Sequence, residues 1–287
     1  MPGDVEVVLA TASHVSSEID KDSALVVAAL AERRISAAVR AWDQPFDWED
    51  APLVVVRSTW DYHRRLDEFL AWARRVARTT RLVNPLAVVE WNARKSYLLD
   101  LDARDVPIVP TVLLRAGSAA DLSAHERLGD TVVVKPAVGA NASGAARGRR
   151  DDAAVVAQLH ALLRDGDALV QPFVPSVATR GESSLLFFGG VFSHAVLKRP
   201  APGDYRVQHD HGGVASPHEP TRRELAVARD ALDAAPERTA YARVDLVEHE
   251  GVPVVMELEL IEPEVFLPYA PRAAGVFAKV LEGQLRR

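Results

Sequence analysis

Near the end of the chain, Val254-Val255-Met256-Glu257-Leu258-Glu259-Leu260 alternates apolar and acidic residues. A strand repeats every two residues, so Glu257 and Glu259 share one face while Met256, Leu258 and Leu260 take the other. A third acid, Asp245, lies on what reads as the neighbouring strand, Tyr241 to Glu248. Buried carboxylates this close together are costly unless a cation neutralises them, and an all-oxygen donor set favours magnesium, with manganese as an alternative. A solvated strand face would show the same pattern, so both readings stand at this point.

Five further runs could carry chemistry. Val132-Val133-Val134-Lys135-Pro136 is an apolar strand ending in a lysine, followed by the small-residue stretch Ala137 to Ala146. Such a loop lets phosphates approach backbone N–H groups, although its spacing is not that of a Walker loop and a flexible turn would look alike. Gln171-Pro172-Phe173-Val174-Pro175 follows another apolar strand, and its prolines keep the backbone extended, either for hydrogen bonds to a purine edge or as a hinge. Lys198 and Arg206 flank a Pro-Ala-Pro-Gly turn and could meet an anion or simply face water. Arg57-Ser58-Thr59-Trp60-Asp61-Tyr62 falls just beyond a strand, where α/β lobes bind ligands; the alternative is that its aromatics cover a sheet edge. His209-Asp210-His211 with His218 could be a zinc site, but histidines spaced like this are frequent in exposed loops.

These residues need elements to hold them. Strand-like Val5 to Ala10, helical Lys21 to Arg34, and the strands Ala37 to Trp42 and Leu53 to Thr59 are followed by apolar residues at helical spacing from Leu66 to Val76. Strands alternating with helices indicate a small parallel-sheet α/β lobe. Asn84-Pro85 breaks the pattern and leads to a helix near Asn92 to Leu101. Beyond it come the strand Thr131 to Lys135, a loop from Pro136 to Gly148, a helix Ala153 to Leu163 and a strand Ala168 to Val174. A hairpin (Ser183 to Phe188, Val191 to Lys198), a helix from Thr221 to about Ala234 and the strands Tyr241 to Glu248 and Val252 to Leu260 complete the order. The division this suggests is an α/β substrate lobe at 1–91, a central segment at 92–170 and a C-terminal segment at 171–287.

At 287 residues the chain suits two or three lobes rather than one small core. Its 48% hydrophobic and 26% charged residues exclude a mainly disordered chain. A net charge of −6 with dispersed Lys and Arg argues against nucleic acid as partner. The absence of cysteine removes disulfides, thiolate nucleophiles and cysteine metal sites, in keeping with a cytoplasmic protein. The start, Met-Pro-Gly-Asp-Val-Glu, has no signal-peptide character. The longest uncharged stretch, Ser183 to Leu197, is interrupted by Gly189-Gly190 and falls short of the ~20 apolar residues of a membrane span. A small molecule is the expected partner, and self-association into a homo-oligomer is left open.

Taken in order, the pieces resemble the ATP-grasp superfamily, in its glutathione-synthetase-like branch. The resemblance rests on Asn84-Pro85 leading to Asn92 and Lys95, Val-Val-Val-Lys135-Pro, Gln171-Pro-Phe-Val, Arg180-Gly-Glu182, Lys198-Arg-Pro, Asp204-Tyr-Arg206, Asp245, and Glu257-Leu-Glu259 with Pro263. It implies an α/β ATP-grasp fold with an N-terminal Rossmann-like lobe, and an ATP-dependent, ADP-forming carbon–nitrogen ligase. By the same resemblance, Lys95 and Lys135 contact ATP phosphates, the backbone around Gln171, Phe173 and Val174 the adenine, and Glu182 the ribose. Asp245, Glu257 and Glu259 hold Mg2+, or Mn2+. Lys198 and Arg206 act on the transferring phosphoryl group, and the first lobe, with Arg57, Ser58, Thr59, Asp61 and Tyr62, holds the substrate. Two departures matter: Glu259 stands where the branch often has Asn, and Ser183-Ser184 replaces a substrate-binding arginine. The Arg-Ser-Thr-Trp60-Asp-Tyr62, Trp91-Asn92-x-x-Lys95 and Ser193 to Lys198 runs are similar to the subgroup containing the cycloserine-forming cyclo-ligase, which closes O-ureido-D-serine by attack of an internal nitrogen on an activated carboxylate. An intermolecular peptide-type ligase and, behind it, a kinase on the same fold are the rival implications; a non-enzymatic nucleotide-binding module would require the three acids not to converge.

Overall fold

The computed structural model describes residues 5–122 and 125–287; Met1 to Asp4, part of the start read above, lie outside them. The first lobe is a parallel sheet of β1 (Val7–Thr11), β2 (Ala37–Ala41), β3 (Leu53–Ser58) and β4 (Arg81–Val83) in the order β2-β1-β3-β4, with helices α1 (Lys21–Glu32) and α2 (Leu66–Thr79). β1 and β3 are buried along their whole length, as near-continuous Val/Leu runs require in a sheet covered on both faces. α2 supplies Phe69, Leu70, Trp72, Ala73 and Val76 to one of those faces. The expected α/β lobe is present.

The connection from the first lobe is two short helices, α3 (Leu86–Asn92) and α4 (Tyr97–Asp102), where the sequence suggested one helix from Asn92 to Leu101. The interruption has a physical cause. The Lys95 N–H donates to Ala137 O at 2.7 Å instead of continuing the helical ladder, while the Asn92 side chain ties the end of α3 to the third sheet, donating to Leu258 O at 2.8 Å and accepting from Leu260 N at 2.8 Å.

A second, antiparallel sheet contains β5 (Val112–Leu114), β6 (Thr131–Pro136), β7 (Ala146–Arg149) and β8 (Ala168–Pro172) in the order β5-β8-β6-β7, covered by α5 (Ala153–Asp165). β7 shortens the loop expected over Pro136 to Gly148. After α6 (Ser176–Thr179), the third sheet is built from β9 (Glu182–Phe188), β10 (Val191–Arg199), β11 (Val214–His218), β12 (Tyr241–His249) and β13 (Val252–Glu259), ordered β11-β10-β9-β12-β13, with α7 (Arg222–Asp233) packed on it. The Gly189-Gly190 hairpin turns with both glycines at positive φ (60° and 79°), the conformation glycine adopts without steric cost.

Packing cuts across the division at residues 91 and 170. α8 (Ala273–Leu285) belongs to the C-terminal segment, yet its Phe277, Ala278 and Leu281 share a core with Leu9, Val26, Leu30 and Val55 of the first lobe. α3 and α4 give Val88, Tyr97, Leu98 and Leu101 to the core beneath the third sheet, with Phe187, Val244 and Leu258. No helix among the described residues is long and apolar enough to cross a membrane.

Candidate active site

Register decides which side chains meet. In the third sheet Lys198 stands opposite Glu182, Ser184 opposite Asp245, Asp245 opposite Glu257 and Arg243 opposite Glu259. Directly opposed residues share a face, so one face gathers Lys198, Glu182, Ser184, Arg243, Asp245, Glu257 and Glu259. Ser183, Leu185, Val244 and Leu258 turn the other way, into core or toward α7. A register shift between Asp245 and Leu246 makes Met256 an extra residue on β13; bulges of this kind re-aim neighbouring side chains.

On this face every acid leans on a cation. Lys198 Nζ pairs with Glu182 and lies 3.3 Å from Asp245. Arg243 pairs with Asp245 at 2.9 Å and also with Glu259, and Lys95 pairs with Glu257. Lys95 is delivered from across the site: its backbone N–H donates to Ala137 O at 2.7 Å, tying it to the loop after β6. Burial works to raise Asp245, but Arg243 and Lys198 outweigh it and bring its pKa down to about 2. Glu259 has the opposite balance: burial, with Glu257 and Asp245 as like charges, overcomes Arg243 and pushes it to about 7. Glu262, half-buried near Glu259, is pushed to about 8 by desolvation and the Glu259 charge. The acids therefore outnumber the cations that serve them, and the excess resides on Glu259 and Glu262.

As the side chains stand, no three acids or histidines among the described residues converge to metal-ligand spacing, each carboxylate being turned toward its lysine or arginine. The donor set nonetheless fits a hard divalent cation, since oxygen ligands with surplus negative charge are what such an ion requires. The histidine alternative fares differently. His209 and His211 lie on an exposed turn and His218 is 3.1 Å from Glu224, so the zinc reading has no cluster behind it.

The remaining sequence candidates divide. Lys135, half-buried at the end of β6, is held down to about 8, because burial and the Lys95 charge outweigh Glu257 and Glu182. Gln171 is buried and its amide donates to Thr111 at 2.9 Å. Phe173 carries the Arg147 guanidinium over its ring at 3.9 Å, with Tyr205 edge-on at 6.1 Å, a clamp the sequence did not suggest. Val174 is in a core cluster with Val109 and Val207. Arg206 is not brought to the acid face: it forms a two-point pair with Asp204 in its own loop, at 2.8 and 3.1 Å, because a carboxylate two residues away is the nearest partner for an exposed guanidinium.

The first-lobe run also differs from a simple pocket lining. Arg57 is buried, donates to Pro263 O at 2.9 Å and sits 4.0 Å from Asp22; Ser58 bonds Asp20 and Thr11; Asp61 accepts from the Trp42 indole at 2.9 Å. These three side chains are held inside the protein rather than lining an open pocket: Ser58 and Asp61 are bonded within the first lobe, and Arg57 reaches the segment 260–267 that follows the last strand of the third sheet, a segment the first lobe grips. Asp22 accepts from Val265 and Leu267 N–H, the Tyr241 hydroxyl lies 2.6 Å from Val56 O and 2.7 Å from Ile261 O and has one proton for the pair, and Trp60 donates to Glu262 O at 3.0 Å. Thr59 is enclosed with its Oγ1 unpartnered. Tyr62 is buried, and its hydroxyl is raised by that burial and by Glu262, Glu257 and Glu259, which places it toward the acids. Sequence reading missed Arg243 and Glu262. Both had a signal, lying in the Arg-Val-Asp and Ile-Glu-Pro runs beside residues already singled out.

Residues 7–84 match the family described as the N-terminal domain of D-cycloserine synthetase DcsG. Over 288 residues the chain is 35% identical to the cycloserine biosynthesis protein DcsG of Streptomyces lavendulae, covering 95% of this chain and 96% of that one. The crystal structure of D-cycloserine synthetase DcsG is similar at a TM-score of 0.89 and 34% identity, across 97% of this chain and 99% of that chain. A D-alanine–D-alanine ligase from Bacillus anthracis, solved in complex with ATP, matches at a TM-score of 0.70 and 16% identity over 96% and 94% of the two chains, a likeness of fold alone.

Proposed function

The chain belongs to the DcsG family of ATP-grasp, ATP-dependent carbon–nitrogen ligases, and from that membership we propose that it phosphorylates the carboxylate of a small amino-acid-like substrate and lets the substrate's own nitrogen displace the phosphate. The ring closure that turns O-ureido-D-serine into D-cycloserine is the reaction of this type that we assign. What supports the assignment is that the likeness to DcsG runs through nearly the full length of both chains, first lobe included, and that lobe is where the organic substrate would bind.

In this reading Asp245, Glu257 and Glu259 hold magnesium, manganese being accommodated by the same oxygens. The metal supplies positive charge against the phosphates. Lys95 and Lys135 take the phosphates, the backbone from Gln171 to Val174 with the Phe173 ring the adenine, and Glu182 the ribose. Lys198 stands where a transferring phosphoryl group needs charge, and Arg206 joins it by leaving Asp204 as its loop closes. Nucleotide arrival exchanges partners: phosphates replace Glu257 as the counter-charge of Lys95 and free that carboxylate for metal. Thr59 and Tyr62 face the substrate, supported by Arg57, Ser58 and Asp61. Sealing the lobes keeps water from the acyl phosphate. We place this reaction in the cytoplasm, where ATP is supplied.

Lys135 gives this scheme a pH signature. A lysine with a pKa of about 8 in the free protein is charged below that pH and neutral above it, whereas a lysine on a phosphate is charged. Nucleotide binding above pH 8 must therefore take up a proton, and affinity should fall by up to about tenfold per pH unit there. Calorimetry at pH 8.5 in two buffers of different ionisation enthalpy should register that uptake, and Lys135→Met should abolish it while weakening binding at pH 7.

The function itself is tested by incubating the protein with magnesium, ATP and O-ureido-D-serine alone. Phosphate release accompanied by a cyclic isoxazolidinone is the expected result. Phosphate that appears only after a separate amine is added would replace ring closure with intermolecular ligation.

A further inference from the structure

Arg147 and Arg149 project from one face of β7 and are held differently. Arg149 pairs with Asp151 at 3.0 Å. The Arg147 side chain has no ion pair or hydrogen bond among the described residues; its guanidinium carbon lies 3.9 Å from the centre of the Phe173 ring and 5.5 Å from that of Tyr205. Other arginines near aromatic rings also hold a polar partner: Arg57 the Pro263 carbonyl, Arg65 Asp43 and Glu68, Arg243 Asp245 and Glu259. Stacking on a ring is the contact that holds Arg147, and it leaves the N–H donors to solvent.

Register places this stack on the face that carries Lys135. Arg147 stands opposite Val133, and Val133 opposite Gln171, so the three share a face, and Lys135 follows on it about 7 Å further along β6. That face is open: Val133 and Lys135 are half-buried, while Val132 and Val134 are sealed against Val155 and Leu159 of α5. Phe173 extends the row past β8, its N–H donating to Thr131 O at 2.9 Å. Tyr205 arrives from the third sheet, in the connection between β10 and β11, and meets Phe173 edge-on at 6.1 Å. The same connection touches the small-residue loop again at Asn141, whose amide donates to Asp210 at 3.3 Å and whose carbonyl lies 3.4 Å from His211 Nε2. Arg147 therefore sits where the two segments meet, over the ring read as lying at the adenine and one step along the sheet from the lysine read as holding phosphate.

We propose that Arg147 is a base-stacking residue of the nucleotide site, covering the outer face of the purine while Phe173 backs the inner one. The proposal rests on the ATP-using reading above and adds the residue that closes the base in. A purine entering over Phe173 offers the guanidinium one π face in place of another, so the cation–π contact is transferred rather than lost. No carboxylate has to be given up, because Arg147 holds none, and its exposed side chain has room to lift. Covering by the base and by Tyr205 then removes water from around the contact, which strengthens it. Stacking reads the face of a ring and not its edge. Arg147 thus contributes affinity for any purine nucleotide and nothing for a bare triphosphate, and the choice of adenine is left to the backbone of residues 171–174.

Calorimetric titration of the full chain, in magnesium, with ADP, IDP or inorganic tripolyphosphate separates base from phosphate. Arg147→Ala should weaken ADP and IDP alike by about 5- to 30-fold, the scale of a desolvated cation–π contact or a stacked base, and leave tripolyphosphate within about twofold. Arg147→Lys keeps the charge without the planar guanidinium and should recover little of the loss. Both variants should melt within about 2 °C of wild type, the position being exposed. Equal ADP affinity in wild type and Arg147→Ala would overturn the assignment, as would tighter binding by the variant, the sign of a guanidinium that blocks the base. Parallel loss of tripolyphosphate, or full recovery in Arg147→Lys, would do the same, since both belong to a charge acting on phosphates. Failure of the nucleotide reading looks different: wild-type protein then binds neither ADP nor IDP, with Arg147 in place.

Discussion

Glu257→Gln is expected to lower turnover by about 10³-fold, the scale on which a single preorganised electrostatic contact acts in a transition state, while the protein stays folded. The carboxylate projects from β13 on the charged face, a quarter exposed and paired with Lys95. Removing its charge leaves a lysine at the rim of the site with water within reach, which costs on the order of 1 kcal/mol, or roughly 2 to 4 °C in melting temperature for a chain of this size. The effect on chemistry is larger because Glu257 is one of the three acids proposed to hold the metal, and the other two already serve cations, Asp245 with Arg243 and Lys198 and Glu259 with Arg243. The measurement is kcat against magnesium concentration beside a thermal melt. Unchanged activity with unchanged magnesium dependence would remove Glu257 from the metal site.

The alternation around Glu257 and Glu259, the lysine at the end of β6 and the α/β order of the first lobe were legible because each is a local pattern: a period of two, a change of residue type at a strand end, a period of 3.6. What was not legible is mostly non-local. β5, β7 and β11 are three to five residues long, too short for a period to establish itself, and they exist because longer neighbours offer them an edge. α8 has a readable stripe in Ala274, Phe277, Ala278 and Leu281, but nothing in that stripe says it will cover the first sheet, 200 or so residues upstream in the sequence. The run from Arg57 to Tyr62 was read as pocket because it sits beyond a strand end. Only the fold shows that Arg57 is occupied by the 260–267 segment at the lobe junction and Asp61 by the Trp42 indole of its own lobe.

Arg243→Leu should be the most destabilising change on the charged face, by about 3 to 5 kcal/mol, as is usual when one partner of a buried ion pair is removed. Arg243 is nine-tenths buried by side-chain area; its Nε and Nη2 bond both oxygens of Asp245, Nη2 also reaches Glu259, and Nη1 donates to Glu264 O at 3.2 Å. Without it, Asp245 keeps only Lys198 and Ser184, and Glu259 loses its cation altogether. Arg243→Lys retains the charge but not the planar fork that spans two carboxylates and a carbonyl, so it should recover stability only in part. Combining Arg243→Leu with Asp245→Asn makes the origin of the loss measurable. If the damage comes from an unpaired buried carboxylate, the double variant is more stable than the sum of the single changes predicts, by a coupling of about 1 to 3 kcal/mol, because the charge that lost its partner is gone as well. Activity should follow a different rule and stay absent in the double variant, since neutralising Asp245 relieves the repulsion without restoring a metal oxygen. Additive stabilities in denaturant titrations would mean that Arg243 acts through Phe266, whose ring lies 5.8 Å beneath its guanidinium, and through the Glu264 carbonyl, holding the 260–267 segment in place rather than balancing the acids.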